Sequence, residues 1–215
     1  MVYRAAIFDM DGTILDTLED LRDGVNASLA WAGFPPRSLD EIRRFVGNGA
    51  AKLIERSVPA GTAEAATRRV LEYYRPYYEA HSRIKTGPYP GMTAALESLR
   101  GRGVMLAVVS NKPDGATKKL AAHYFPELFH VAIGARDGVA VKPAPDTLLE
   151  AMALLGVSPE ETIYIGDSDV DIQTAKNAGV DCASVAWGFR SEEFLREHGA
   201  YRILRQPAEL LTMEK

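Results

Sequence analysis

Ala5-Ala6-Ile7-Phe8-Asp9-Met10-Asp11-Gly12-Thr13 runs four apolar residues into two acids and a glycine. A short unbroken apolar run is the pattern of a strand buried on both faces. In open α/β sheets the ligand crevice lies beyond the carboxyl ends of the strands. Asp9 and Asp11 are two positions apart, so a locally extended chain sends both the same way. Gly12 then lets the backbone turn sharply or approach a ligand closely.

Similar apolar runs recur at 104–109, 131–133, 162–165 and 183–185. Helical patterns separate most of them. Leu96 and Leu99 share a face ahead of Gly101 and Gly103. Leu148, Leu149, Met152 and Leu155 form another face that Gly156 closes, with Asp146 as the expected N-cap after Pro143 and Pro145. Ala175 and Ala178 precede Gly179 in the same way. Alternating strands and helices read as βαβ units, hence an α/β fold on a parallel sheet.

Residues 17–81 break the rhythm with helical signals alone. Leu18, Leu21, Val25 and Leu29 make a stripe, and Ser38 with Glu41 makes a capping box ahead of Ile42 and Phe45. Leu53 and Ile54 follow Gly47-Asn48-Gly49. Val70, Tyr73, Tyr74, Tyr77 and Tyr78 form an aromatic stripe expected to be core and to kink at Pro76. Pro88-Tyr89-Pro90-Gly91 is a rigid break. The economical reading is a helical insertion after the first strand.

Three more strand ends carry chemistry. Gly166-Asp167-Ser168-Asp169-Val170-Asp171 follows one run, Ser110-Asn111-Lys112 another, and Lys142-Pro143 the loop of a third. Parallel strands bring these ends to one edge. Two like charges about 4 Å apart repel by about 4 kcal/mol at an effective dielectric near 20, so clustered carboxylates call for a cation. All-oxygen ligation favours magnesium. The residue types suit phosphoryl transfer: an aspartate nucleophile, a second carboxyl as acid and base, and cations against the phosphoryl charge. Asp16, Asp169 and Asp181 read as caps or turn residues, and Lys112 as a solvated lysine. His81 and His123 are expected to pack at helix ends. EF-hand spacing fails at Ile14, and again at Ile172 and Ala178. Phosphate-loop and nucleophile-elbow motifs are absent from the sequence.

The 215 residues carry a net charge of −4 and 47 % hydrophobic residues, a globular composition without the basic bias of a nucleic-acid or anionic-membrane binder. No apolar run is long enough for a membrane span. Cys182, the one cysteine, excludes disulfides and a cysteine zinc site and is expected to lie buried in a late strand. A cytoplasmic protein without a signal peptide is the expectation. Charge and composition leave monomer or homodimer undecided.

Asp9-Met10-Asp11-Gly12-Thr13, Ser110-Asn111, Lys142 and Gly166-Asp167 with Asp171 resemble the four motifs of the haloacid dehalogenase superfamily. Phe45-Val46-Gly47-Asn48-Gly49, Tyr77-Tyr78-Glu79-Ala80-His81 and Pro88-Tyr89-Pro90-Gly91 resemble its phosphoglycolate phosphatase-like members. The resemblance implies a doubly wound core over residues 1–15 and 84–215, with an all-helical cap over 16–83. It implies that Asp9 is nucleophile and magnesium ligand, and that Asp11 is acid/base and lends magnesium its main-chain carbonyl. Ser110 and Lys142 hold the phosphoryl group, and Asp167 and Asp171 serve the metal, Asp171 directly or through water. Asn111 in the core, and Gly47, Asn48, Gly49 and Lys52 in the cap, are the expected substrate contacts. The implied substrate is a small-molecule phosphate monoester. Alternatives on the same core are a sugar-phosphate phosphomutase, a pyrophosphatase or a nucleotidase. A phospho-acceptor signalling domain and an idle binding protein are the non-enzymatic alternatives. The Asp9-x-Asp11 spacing and the cap-sized insertion stand against the first of these, and the intact acid set against the second.

Overall fold

The computed structural model describes residues 3–213. In chain order the strands are β1 (Ala5–Phe8), β2 (Leu15–Asp16), β3 (Gly87–Pro88), β4 (Met105–Pro113), β5 (Val131–Ala135), β6 (Thr162–Gly166), β7 (Asp181–Val185) and β8 (Ile203–Leu204). The helices are α1 (Leu18–Trp31), α2 (Leu39–Phe45), α3 (Gly49–Ser57), α4 (Glu64–His81), α5 (Met92–Gly101), α6 (Asp114–Tyr124), α7 (Asp146–Leu155), α8 (Asp169–Ala178) and α9 (Glu192–Glu197). Two compact units result. One holds the chain up to Leu15 and from Pro88 onward, and the other is Asp16–Gly87. None of the described helices is long and apolar enough to cross a membrane.

The first unit is a doubly wound α/β sheet. Six parallel strands lie in the order β5-β4-β1-β6-β7-β8. Side chains alternate between its faces. Ala6, Phe8, Leu106, Val108, Ile163 and Ile165 pack with α5 and α6, while Ala5, Ile7, Ala107, Val109 and Tyr164 pack with α7 and α8. Burial on both faces explains why these strands read as continuous apolar runs. Gly156 and Gly179 end α7 and α8 in the left-handed conformation, as their positions predict. Asp146 is not the N-cap of α7. Pro145 holds that place, and Asp146 is the first helical residue, where its charge still suits the helix dipole. Leu149 is 44 % exposed, so the inward face of α7 is Leu148, Ala151, Met152 and Leu155.

In the second unit Leu18, Leu21, Val25 and Leu29 of α1 are buried, as are Val70, Tyr74 and Tyr78 of α4. A Cβ on Gly24 would lie 3.2 Å from Tyr74 and 3.3 Å from Tyr78. The aromatic stripe therefore divides. Tyr73 and Tyr77 are half-buried and stack with Trp31 and His81 along the outside of α4. The helix continues through Pro76. The Ser38–Glu41 capping box forms in both directions. The return to the first unit falls at Pro88 rather than at residue 84. The reason is Asp20 of α1, which accepts from the backbone N–H groups of Ile84, Lys85 and Thr86 and from the Thr86 hydroxyl.

Candidate active site

Five carboxyl-terminal strand ends of the first unit build one site. Asp9 follows β1, and its N–H donates to Ile165 O at 2.8 Å, tying it to β6. Asp167 follows β6. Donor atoms of Asp9, Asp167 and Asp171 lie within 4.8 Å of one another. Gly12, at φ +81°, must be glycine on two counts, since a Cβ would also sit 2.2 Å from Asp167 Oδ2. Gly166 is equally confined, because a Cβ there would meet the Asp171 side chain at 2.3 Å.

Lys142 is the hub. Its side chain is 2 % exposed. Its ammonium donates to Asp9 Oδ1 and Asp171 Oδ1 at 2.8 Å each and to the Tyr164 hydroxyl at 2.9 Å. Burial alone would lower a lysine's pKa, but the charges of Asp171 and Asp9 override it and hold Lys142 well above its usual range.

Asp171 is engaged on both carboxylate oxygens. Its Oδ1 takes Lys142 and Tyr164, and its Oδ2 takes the Ser168 N–H and hydroxyl, closing the capping box of α8. Two donors on each oxygen tie the carboxylate to Lys142, Tyr164 and the helix end, and it stands in the same cluster as Asp9 and Asp167. Asn111 is tied to the Lys142 main chain. Its carboxamide accepts from Lys142 N at 2.8 Å and donates to Lys142 O at 3.0 Å, so it clamps the main chain at Lys142. The Lys142–Pro143 peptide within this clamp is cis. Lys112 is not solvated. Its side chain is 3 % exposed and lies 3.2 Å from Asp11 Oδ1. Ser110 is buried beside it and accepts from Lys112 N–H.

One wall of the site has no signal in the strand and helix pattern. The loop after β7 returns Trp187 to donate to Thr13 O, and Phe189 N–H to donate to Asp167 Oδ2 at 2.7 Å. Between them Gly188 has no room for a Cβ, which would lie 2.3 Å from Asp167 Cβ and 2.5 Å from Gly12 O. Gly188 alone could have hinted at this close approach.

The electrostatics are unbalanced. Asp9, Asp11, Asp167 and Asp171 stand against the ammonium groups of Lys112 and Lys142. Desolvation and the neighbouring carboxylates push Asp9 up to about 7, despite Lys142. Desolvation, then Asp171 and Asp9, push Asp167 well up, despite the Phe189 N–H and Arg190. Carboxylates that resist ionisation while converging on one point, through oxygen atoms alone, fit a hard divalent cation.

Gly47, Asn48, Gly49 and Lys52 belong to the second unit. Gly47 and Gly49 both have positive φ and turn the chain between α2 and α3. Asn48 Oδ1 accepts from Arg56, and Lys52 pairs with Glu55 at 2.8 Å in an exposed position.

A parallel sheet with Asp-x-Asp beyond its first strand, a buried lysine hub and an acid pair beyond β6 define an acid-centred α/β hydrolase. Residues 6–185 match the model of the haloacid dehalogenase-like hydrolases, and the chain belongs to that family. Within it the chain is phosphoglycolate phosphatase-like. It is 32 % identical over 214 residues to phosphoglycolate phosphatase 1 of Pseudomonas aeruginosa, covering 97 % of this chain and 78 % of that protein. It is 36 % identical to a phosphoglycolate phosphatase of Cereibacter sphaeroides, covering 91 % of each. A crystal structure from Lactobacillus delbrueckii subsp. bulgaricus, of a protein provisionally called a phosphoglycolate phosphatase, matches with a TM-score of 0.93 at 40 % identity, over 98 % of this chain and 97 % of that one.

Proposed function

We propose that this chain hydrolyses a small phosphate monoester with magnesium, through an aspartyl-phosphate on Asp9. The observation that carries the reading is the convergence of Asp9 and Asp167 beside Lys142 in a buried site with excess negative charge. Asp9 and Asp167 would hold the metal, with the Asp11 main-chain carbonyl as the family resemblance adds. When bound, magnesium supplies charge neutralisation for the phosphoryl oxygens. Asp171 acts one step back, by holding Lys142.

In the first half-reaction an Asp9 oxygen bonds to phosphorus as the bond from phosphorus to the leaving oxygen breaks. Asp11 passes its proton to that leaving oxygen, releasing the alcohol. In the second half a water oxygen bonds to phosphorus, its proton goes to Asp11, and the Asp9 oxygen departs with its electron pair. Free phosphate leaves and Asp9 is restored. Lys142 and Ser110 face the phosphoryl group throughout.

Phosphoglycolate, named in the relatives, is the proposed substrate, and the helical unit Asp16–Gly87 is the proposed cap that reads its leaving group. Gly47 and Gly49, both at positive φ, turn the chain into the start of α3, and a helix start suits a carboxylate. Phosphate release from phosphoglycolate, sugar phosphates, nucleotides, pyrophosphate and 4-nitrophenyl phosphate, with magnesium and with chelator, tests the whole reading. Phosphoglycolate should rank first by kcat/KM, and chelation should abolish turnover. Isomer exchange without net phosphate release would replace the reading with a mutase. Replacing Asn48 and Lys52 should raise KM for phosphoglycolate several-fold more than for the aryl ester. Equal effects on both return this turn to a structural role.

A further inference from the structure

Lys112 is the second buried ammonium of the site, and the reaction as written gives it nothing to do. Its place is unusual for a lysine. The pairing of β4 with β5 shifts register between Val109 and Pro113, so the strand carries Lys112 past its regular end into the site. The Lys112 N–H donates to Ser110 Oγ at 3.2 Å, and Thr117 Oγ1 donates to Lys112 O at 3.2 Å, pinning the backbone on both sides of the side chain. The stem is buried up to the ammonium. Ordering such a chain costs rotamer entropy, and burying its charge costs more. Asp11 Oδ1, 3.2 Å away, is the carboxylate placed to offset that. Asp11 itself is not sealed in, since 16 % of its side chain remains exposed at the mouth of the site. The two lysines therefore divide the acids, with Lys142 on Asp9 and Asp171 and Lys112 on Asp11.

We propose that Lys112 is a positioning residue that holds the Asp11 carboxyl group in the orientation from which it delivers its proton to the leaving oxygen. A bond to Oδ1 fixes the carboxyl rotamer and assigns the transferred proton to Oδ2. Proton transfer in a bound complex depends on a heavy-atom separation of about 2.6–3.2 Å. A carboxyl group free to swing meets that condition for a small fraction of the time. Lys112 touches neither the phosphorus nor the breaking bond, so its effect passes entirely through Asp11. The proposal rests on the reading of Asp11 as acid and base.

Leaving groups separate this role from a structural one. An alkyl alcohol such as glycolate needs protonation as it departs, and 4-nitrophenolate does not. Asp11→Asn should lower kcat/KM on phosphoglycolate by about 10²-fold or more, and on 4-nitrophenyl phosphate far less, because kcat/KM ends at release of the alcohol whereas kcat includes the water step that both substrates share. Lys112→Met should lower kcat/KM on phosphoglycolate about ten-fold more than on the aryl ester, and Lys112→Arg should recover most of that difference. In the Asp11→Asn background, Lys112→Met should cost no more than about two-fold further on either substrate. Equal losses of kcat/KM on both substrates, or losses that multiply in the double variant, would overturn the proposal. If Asp11→Asn itself shows no leaving-group dependence, the reading of Asp11 fails and takes the proposal with it. If Asp11→Asn shows it and Lys112→Met does not, only the proposal fails. Lys112→Gln stands in should the Met variant not fold. Failure of both to fold would assign Lys112 to the charge balance of the core instead.

Discussion

Asp20 in the helical unit and Asp167 in the α/β unit are equally buried, each 3 % exposed. Asp20 accepts from three backbone N–H groups and a hydroxyl. Asp167 accepts from Phe189 N–H and faces Asp9 and Asp171 across a few ångströms. Burial alone thus says little about a carboxylate's work. One ringed by donors is a structural fastener, here joining the start of α1 to the segment that leaves the helical unit. One short of donors and crowded by its own kind is held at a cost that only a ligand repays. The protein concentrates that cost in one unit and keeps the other free of it.

The sharpest way to break this contrast is Asp9→Asn. Turnover should fall by about 10³-fold or more, because the amide cannot form the acyl phosphate. The melting temperature in chelator should stay level or rise, because one of the crowded charges is gone. Residual kcat above a few per cent of wild type would show that Asp9 is not the nucleophile.

Lys142→Met comes next, with kcat/KM expected to drop about 10²-fold on every substrate. Stability should also fall by about 3–5 kcal/mol, since Asp171 and Asp9 lose their shared partner. A loss confined to one substrate would move Lys142 from phosphoryl binding to specificity.

Asp20→Ala should do the opposite of Asp9→Asn. It strands the buried Thr86 N–H and hydroxyl and two part-buried N–H groups, and should cost about 2–4 kcal/mol, read as a lower melting temperature by circular dichroism. Turnover of 4-nitrophenyl phosphate by the folded variant should remain within a few-fold of wild type. Unchanged melting would mean that the clamp on 84–86 contributes nothing.

The smallest effect is on pH dependence. Asp9 is held near 7, against an ordinary 3.8, and Asp167 is raised as well. Between about pH 5 and 7 the folded, metal-free protein therefore binds more protons than the unfolded chain, so its stability should fall as pH rises. Asp23, Asp114 and Glu41 are shifted the other way and complete their titration below this window. Melting scans in chelator should slope downward from pH 5 to 7, and magnesium should flatten the slope. A rising slope in chelator would contradict the crowding of these acids.

Much of this was decided by the sequence alone. The strands at 5–8, 162–165 and 183–185 declared themselves because two-sided burial demands unbroken apolar runs. The Ser38–Glu41 box and the glycines ending α7 and α8 did so because caps are local chemistry. Asp9, Asp11 and Asp167 could be placed because strand ends of one parallel sheet must converge. Only the tertiary structure decided which partners each acid and each lysine has there. Asp171 is held by Lys142, Tyr164 and Ser168, Asn111 clamps the Lys142 main chain, and Lys112 turns inward at a register shift. The Phe189 N–H reaches Asp167 from a loop with no periodicity to betray it, and Asp20 meets a segment 64–66 positions away. Periodicity records which way a residue faces its own element. A hydrogen-bond partner is chosen by the path of the chain through space, and that path is set by the packing of the whole sheet and its helices.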